Sequence, residues 1–396
     1  YLEEIVTGQT LNYTLDGTSK LQYSKPSDPK TSYLTWETIA TWNIGLDMSF
    51  LNNRLTFTGD YFIRNTEGML ADSYELPGVF GAKTPDENCA DLRTNGWELY
   101  LGWNDSFALM GKRFNYTVSA TLGDNKTVFT KFNNPEKNLS NHYEGKVWGE
   151  IWGYRVDGLF ASDEEAAEYT SKINQDAVNE RILTDKVDPY YRAGDLKFRD
   201  LDGDNVISKG DDTAYDAGDR EIIGNETPRY MYSFRLGADW NGFDLGIFFQ
   251  GVGKRDWYPS HLSTGFWGPY SRAFTSFIPA NFMDQCWSEE NPGGYLPRFR
   301  GYQTFASSQL GVANDRYLQD ASYIRLKNLT VGYTLPVLKK VFTKLRVYFT
   351  GENLWYWSPM KKYTKYIDPE AAGGNGNTGM AYNYSRNFSV GVDITF

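Results

Sequence analysis

The chain closes on a ten-residue alternation. From Asn387 to Phe396, one face carries Phe388, Val390, Val392, Ile394 and Phe396, and the other Asn387, Ser389, Gly391, Asp393 and Thr395. Successive side chains of a strand point to opposite faces, so this run predicts a strand with one apolar and one polar side. The same grammar recurs upstream. Trp42, Ile44, Leu46, Met48 and Phe50 oppose Asn43, Gly45, Asp47 and Ser49; Asn52-Asn53 predicts a tight turn; Leu55, Phe57, Gly59, Tyr61 and Ile63 run back. Trp97 to Trp103, Phe114 to Leu122, Tyr230 to Trp240, Phe243 to Phe249, Leu329 to Leu335 and Leu345 to Phe349 repeat it, with Asn241-Gly242 as a strong hairpin signal. This gives about nine strands, with one more before residue 36. Strands of roughly ten residues exceed the usual sandwich strand and match a tilted bilayer crossing.

The connections sort by length. Turns near 52, 106, 241 and 337 are short, whereas the stretches at about 66–92, 128–228, 256–318 and 357–383 are long. Short turns at one end and long loops at the other predict a transmembrane antiparallel β-barrel of the outer-membrane kind, with the short turns periplasmic. One segment reads as helix, Ser162 to Tyr169, with a capping serine and acids in the first turn. It lies within the longest loop, which therefore has structure of its own.

Composition changes this picture in few places. Mean hydropathy is −0.55 and no apolar run is long enough for a membrane helix, but strands escape that test because only alternate residues face lipid. Aromatic residues make up 16% of the chain, as interface girdles or sugar-binding surfaces require. The net charge of −10 and the lack of a basic block exclude nucleic acid as a partner. With two histidines, His142 and His261, a His-based zinc site or triad is not expected. Cys89 and Cys286 fall in predicted loops and could pair or stay free. Adjacent acids such as Glu164-Glu165 and Glu289-Glu290 read as solvated faces, and no nucleophile motif or phosphate loop is present, so no enzyme is expected.

A family resemblance rests on ordered matches. They are Trp36-Glu37-Thr38 with Trp42 to Asp47, Leu51 to Leu55 and Asp60-Tyr61-Phe62; Asn95 to Glu98; Gly194 to Asp204; and Ile223-Gly224-Asn225 with Pro228. Gly242 to Leu245, Phe248 to Gly251, Tyr323 to Tyr333 and Gly351 to Leu354 complete them. Together they resemble the SusC/RagA-like TonB-dependent transporters of Bacteroidetes outer membranes. The resemblance implies an all-β chain forming the C-terminal part of a large, 22-stranded, plugged barrel. Residues 1–35 would lead in, 36–396 would build the wall, and 128–228 would be an extracellular insertion. It further implies a SusD-like surface lipoprotein as lid, TonB acting through an N-terminal part, import of oligosaccharides or in some members peptides, and a dimer of such pairs. The start at Tyr1 without a leader reads as a piece of a longer protein. The aromatic Phe396 resembles an assembly signal at a natural end. A soluble β-rich glycan-binding or glycan-cleaving protein is the alternative of another class.

Two sets of residues carry candidate chemistry. Asp200, Asp202, Asp204, the Val206 carbonyl and Asp211 have the spacing of a calcium loop, since carboxylates at alternate positions converge on a hard cation. Asn205 replaces the usual glycine and Asp211 the usual glutamate, and the alternative is a solvated acidic turn. Trp148, Trp152, Trp257, Tyr258, Trp267 and Tyr270 lie in the long loops as candidate sugar-stacking residues, the alternative being a core for those loops. Inward polar residues Asn43, Asp47, Glu98, Asn115 and Asp393 would face the lumen and hold a plug.

Overall fold

The computed structural model describes residues 5–10, 14, 17–18, 20, 22–26, 33–72, 85–276, 278–305, 307–336, 343–373 and 383–396. Nine strands form its one large sheet, as expected: β1 (Thr38–Phe50), β2 (Leu55–Asp72), β3 (Asp86–Leu109), β4 (Lys112–Lys131), β5 (Arg229–Trp240), β6 (Phe243–Lys254), β7 (Tyr323–Leu335), β8 (Lys344–Trp357) and β9 (Asn387–Thr395). Sheet order is chain order, a pure meander. Asn241 and Gly242 turn between β5 and β6 with φ of +48° and +92°, the left-handed pair that matches strand twist. The turn expected near 106 lies instead at Met110-Gly111, φ +51° and +72°. Asn104-Asp105-Ser106 looked like a turn because it is polar, but it continues β3, with Asp105 paired to Arg54 at 3.2 Å. The described residues of the predicted loop over 66–92 are also strand at both ends, since β2 runs to Asp72 and β3 starts at Asp86.

Register shows what the alternation builds. Tyr116, Ala238, Leu245, Val331, Phe349 and Val390 lie side by side across six strands. Beside the short turns, the next row on that face is Phe114, Trp240, Phe243, Tyr333, Val347 and Val392. These residues are open to the surroundings: Phe243 is 52% exposed, Val331 43% and Val390 77%. An apolar band of this extent is foreign to a soluble surface and normal for one solvated by hydrocarbon, with the aromatic row as an interface girdle. Between these rows run polar ones, among them Thr117, Gly237, Gly246, Thr330, Thr350 and Ser389. On that polar face Asn115 donates to Asp239 at 2.8 Å, Thr58 to Asp47 at 2.7 Å, and Arg346 pairs with Asp244 at 2.6 Å and Asp393 at 3.0 Å. Gly332 leaves room for the last group, since a Cβ there would sit 2.4 Å from the Asp244 carboxylate.

Contacts divide the chain into two compact units. The first comprises 1–42, 62–95 and 126–147. Its small core is Ala90, Phe129 and Phe132, against Met69, Ala71 and Leu92, and Asn88 clasps the Thr35 and Gly68 backbones. Cys89 is in β3 rather than a loop, and it is buried, its thiol donating to the Ala71 carbonyl at 3.7 Å.

The second unit comprises 43–61, 96–125 and 148–396. Here the long loops fold into a body with its own core, including Leu196, Phe198, Trp267, Tyr270, Leu310, Tyr317 and Met360. Helix α1 (Asp163–Thr170) forms as predicted, with the Ser162 hydroxyl accepting from the Glu165 N–H and the Glu165 carboxylate from the Ala161 N–H. Short strands Glu150–Tyr154 and Arg220–Asn225 pair, as do Val156–Leu159 and Leu196–Phe198. Cys286 is buried and free in this body.

If the apolar rows face lipid, Val331→Arg costs about 2–4 kcal/mol at mid-membrane depth, whereas Ser389→Arg on the polar face is close to neutral. Denaturant midpoints of the receptor folded into lipid vesicles measure the difference; equal tolerance would overturn the assignment of faces.

Candidate functional site

The run from Gly194 to Asp204 organises the loop body. Gly194 has φ +86°, and a Cβ there would lie 2.4 Å from the Trp287 ring, so both conformation and space require glycine. Asp195 is fully buried and receives both arms of the Arg300 guanidinium at 3.1 and 3.0 Å, with the Arg192 N–H as a further donor. Leu196 and Phe198 enter the core, while Lys197 pairs outward with Glu165 at 2.7 Å and Arg199 with Asp157. Sequence reasoning missed the Asp195–Arg300 pair, because no local spacing links residues 105 apart.

The chain then enters the acidic loop. Asp200 accepts from the N–H groups of Gly203 at 2.7 Å and Asn205 at 2.9 Å, and Asn205 takes the left-handed conformation, φ +66°. Ligand atoms of Asp200, Asp202 and Asp219 lie within 4.8 Å of one another. Of the four expected carboxylates, Asp200 and Asp202 are therefore brought together and two are not. Asp204 turns to accept from the Val206 N–H at 2.7 Å, and Asp211 is exposed and outside the group. The physical reason is that no helix follows the loop to return its twelfth position; turns over 208–218 deliver Asp219 instead. Asp219 accepts from Leu201 at 2.7 Å and Ser208 at 2.8 Å. Burial pushes its carboxyl up, the two N–H donors oppose this, and the charges of Asp202 and Asp200 raise it further. A hard divalent cation would relieve that combination, and an all-oxygen donor set suits calcium.

The aromatic candidates divide. Trp257 is 2% exposed, and Trp267 and Tyr270 are fully buried, so they cannot stack on a sugar. Trp267 packs edge-on against Phe266 and Tyr317, and the Tyr270 hydroxyl donates to the Pro297 carbonyl at 2.6 Å. Tyr258 is half-buried and spends its hydroxyl on the Leu310 and Val312 carbonyls. These four build the loop core, which corrects their reading as sugar contacts. Trp148 stays exposed, and Trp152 borders a cleft of about 640 Å³ with Tyr154, Asp176, Glu180, Lys209 and Arg220. The Trp152 indole N–H donates to Glu150 at 2.9 Å, which fixes the ring. Arg220 is committed to Asp212 at 2.7 Å.

A further contact set holds the loop at 358–373 to the sheet. Arg325 and Lys327, both on the polar face of β7, meet Asp368 and Glu370: Arg325 forms a buried pair with Asp368, and Lys327 reaches Glu370 at 2.7 Å. The sequence did carry a signal for this, two cations two residues apart and two acids with the same spacing.

The meander and its apolar outer rows define the class: a segment of a transmembrane antiparallel β-barrel. No protein-family model matches the chain. It is 27% identical over 411 residues to TonB-dependent receptor P26 of Formosa agariphila, covering 97% of this chain and 37% of that protein. It is 23% identical over 395 residues to the TonB-dependent receptor SusC of Bacteroides thetaiotaomicron, covering 94% and 34%. In fold it matches the solved RagAB peptide transporter with a TM-score of 0.67 at 22% identity, over 100% of this chain and 39% of that one. The chain is SusC/RagA-like along nearly its whole length, and it spans 34–39% of the length of these proteins.

Removing Arg300 strands a buried carboxylate. Arg300→Ala therefore destabilises the loop body by about 3–5 kcal/mol, whereas Arg192→Ala, at a solvent-screened pair, costs far less. Protease resistance of the loops against temperature ranks the two variants, and equal losses would remove Asp195–Arg300 as the central clamp.

Proposed function

We propose that this chain is wall and loops of an outer-membrane, TonB-dependent importer of oligosaccharides, working with a SusD-like surface lipoprotein as its lid. The observation that carries the reading is the pairing of a lipid-solvated strand meander with long loops that fold into a cored body bearing an open cleft. Such a body can present cargo-binding side chains in fixed positions above a pore. In this reading TonB pulls on another part of the receptor, two transporter–lid pairs assemble side by side, and no covalent bond is made or broken. The short turns lie on the periplasmic side and the loops outside the cell.

Oligosaccharide is favoured as cargo by the cleft. The Trp152 ring offers an apolar face to sugar C–H groups, and the Asp176 and Glu180 carboxylates across the cleft are acceptors for hydroxyls. In cells carrying the whole receptor and its lipoprotein, Trp152→Ala should lower uptake roughly tenfold, the loss of one stacked ring, with the receptor still folded. Trp267→Ala should instead cost about 3–5 kcal/mol of loop stability. Full uptake by Trp152→Ala, with peptides in place of sugars competing for entry, would sink the oligosaccharide reading.

The acidic loop fits a resident calcium ion held by Asp200, Asp202 and Asp219, which would pin 200–219 and with it the Arg220 side of the cleft. Calcium added to metal-stripped receptor should raise the unfolding temperature of the loop body. The Asp202→Asn, Asp219→Asn double variant should not respond; an unchanged calcium response in that variant ends the assignment.

A further inference from the structure

A second cavity lies against the polar face of the sheet. Thr121, Ser233, Gln250 and Arg325 form one register row across β4 to β7. Beside this row opens a cavity of about 380 Å³, with Thr121, Ser233, Gln250, Tyr232, Arg255 and Glu370 in its lining. Its two charged groups are in different states. Glu370 is already shared by Lys327 at 2.7 Å and Arg325 at 3.0 Å. Arg255, just past the end of β6, donates to two carbonyls, Glu226 at 3.1 Å and Pro369 at 3.4 Å; among the described residues none of its hydrogen bonds goes to a carboxylate.

Burial pushes the Arg255 guanidinium down, and the solvent-exposed Glu226 offsets part of this. A guanidinium withdrawn from water with only neutral acceptors is a site in want of an anion.

We propose that this cavity receives a carboxylate carried by the cargo, so that the transported oligosaccharide is an acidic one containing uronate-type residues. Arg255 supplies the paired charge, the Thr121–Ser233 hydroxyl pair (2.6 Å apart) and Gln250 meet sugar hydroxyls, and Phe248 offers apolar surface. The inference rests on the oligosaccharide-import reading and narrows its substrate class.

The test uses the intact receptor with its lipoprotein in lipid nanodiscs and three probes: tetragalacturonate, its methyl ester and neutral tetragalactose, with a tetrapeptide as comparison. The free acid should bind at least roughly tenfold tighter than its ester, a difference that shrinks with added salt. Arg255→Gln should abolish that preference and Arg255→Lys keep part of it. Equal binding of acid and ester by the unmutated receptor overturns the proposal, whatever the variants do to folding. Retention of the preference by a folded Arg255→Gln receptor overturns it as well. Binding of neutral sugar without acid preference removes only the carboxylate site. Binding of the tetrapeptide with none of the three sugars removes the import reading beneath it.

Discussion

One constraint governs this chain: within hydrocarbon every backbone N–H and C=O must find a partner on a neighbouring strand, because no water is there to serve. The meander answers it with the shortest route available. Each strand bonds to the one before and the one after, and left-handed turns at Asn241-Gly242 and Met110-Gly111 keep those neighbours adjacent. The same constraint leaves β1 and β9, the two edges, each in need of a further strand. It also fixes which half of the side chains can be polar. With one face given to lipid, all charge and hydrogen bonding fall on the other, which is why Arg346, Asp244, Asp393, Asn115 and Asp239 share a side.

Much of this was legible because a two-residue period is local information. Alternation from Trp42 to Phe50 or from Asn387 to Phe396 reports the strand, its faces and its environment without any distant partner. The helix at 163–170 was legible for a similar reason, since its cap and first-turn acids are all within one turn. Errors arose where local polarity and topology compete. Asn104-Asp105-Ser106 has turn composition, yet its polar atoms are satisfied in-strand by Arg54 and by the backbone. The loop body was legible only in part. A run of aromatic residues in long loops announces either a ligand surface or a core, and burial decides between them: Trp267 and Tyr270 went inside and Trp152 stayed at a cleft. Asp219 and Arg300 were invisible, because their partners are set by how the loops fold back and not by spacing.

The polar inner face has a consequence for how the loops are held. A loop that returns over an apolar sheet can be fastened by burying side chains against it. Over this sheet it meets threonines, glutamine and charges, and the hydrophobic effect offers little grip. The fastening is ionic instead. Arg325 and Lys327 rise from β7 to Asp368 and Glu370, and Arg229 at the start of β5 grips Asp124 on β4 with both arms of its guanidinium. Apolar packing is kept for the interior of the loop body, where Leu196, Phe198 and Trp267 meet one another.

Ionic fastening differs from apolar packing in one respect that bears on function. A buried pair such as Arg325–Asp368 contributes little net stability once desolvation is counted, but it costs a great deal to break one-sidedly. It therefore specifies where the 358–373 loop sits more than it adds to the stability of the whole. It also leaves fixed charges on the polar face, and their balance is set by the sequence. Where a guanidinium meets only carbonyls, as Arg255 meets those of Glu226 and Pro369, no carboxylate takes up its charge by a hydrogen bond among the described residues. The placement of charge on the inner face then follows from the same requirement that made the outer face apolar.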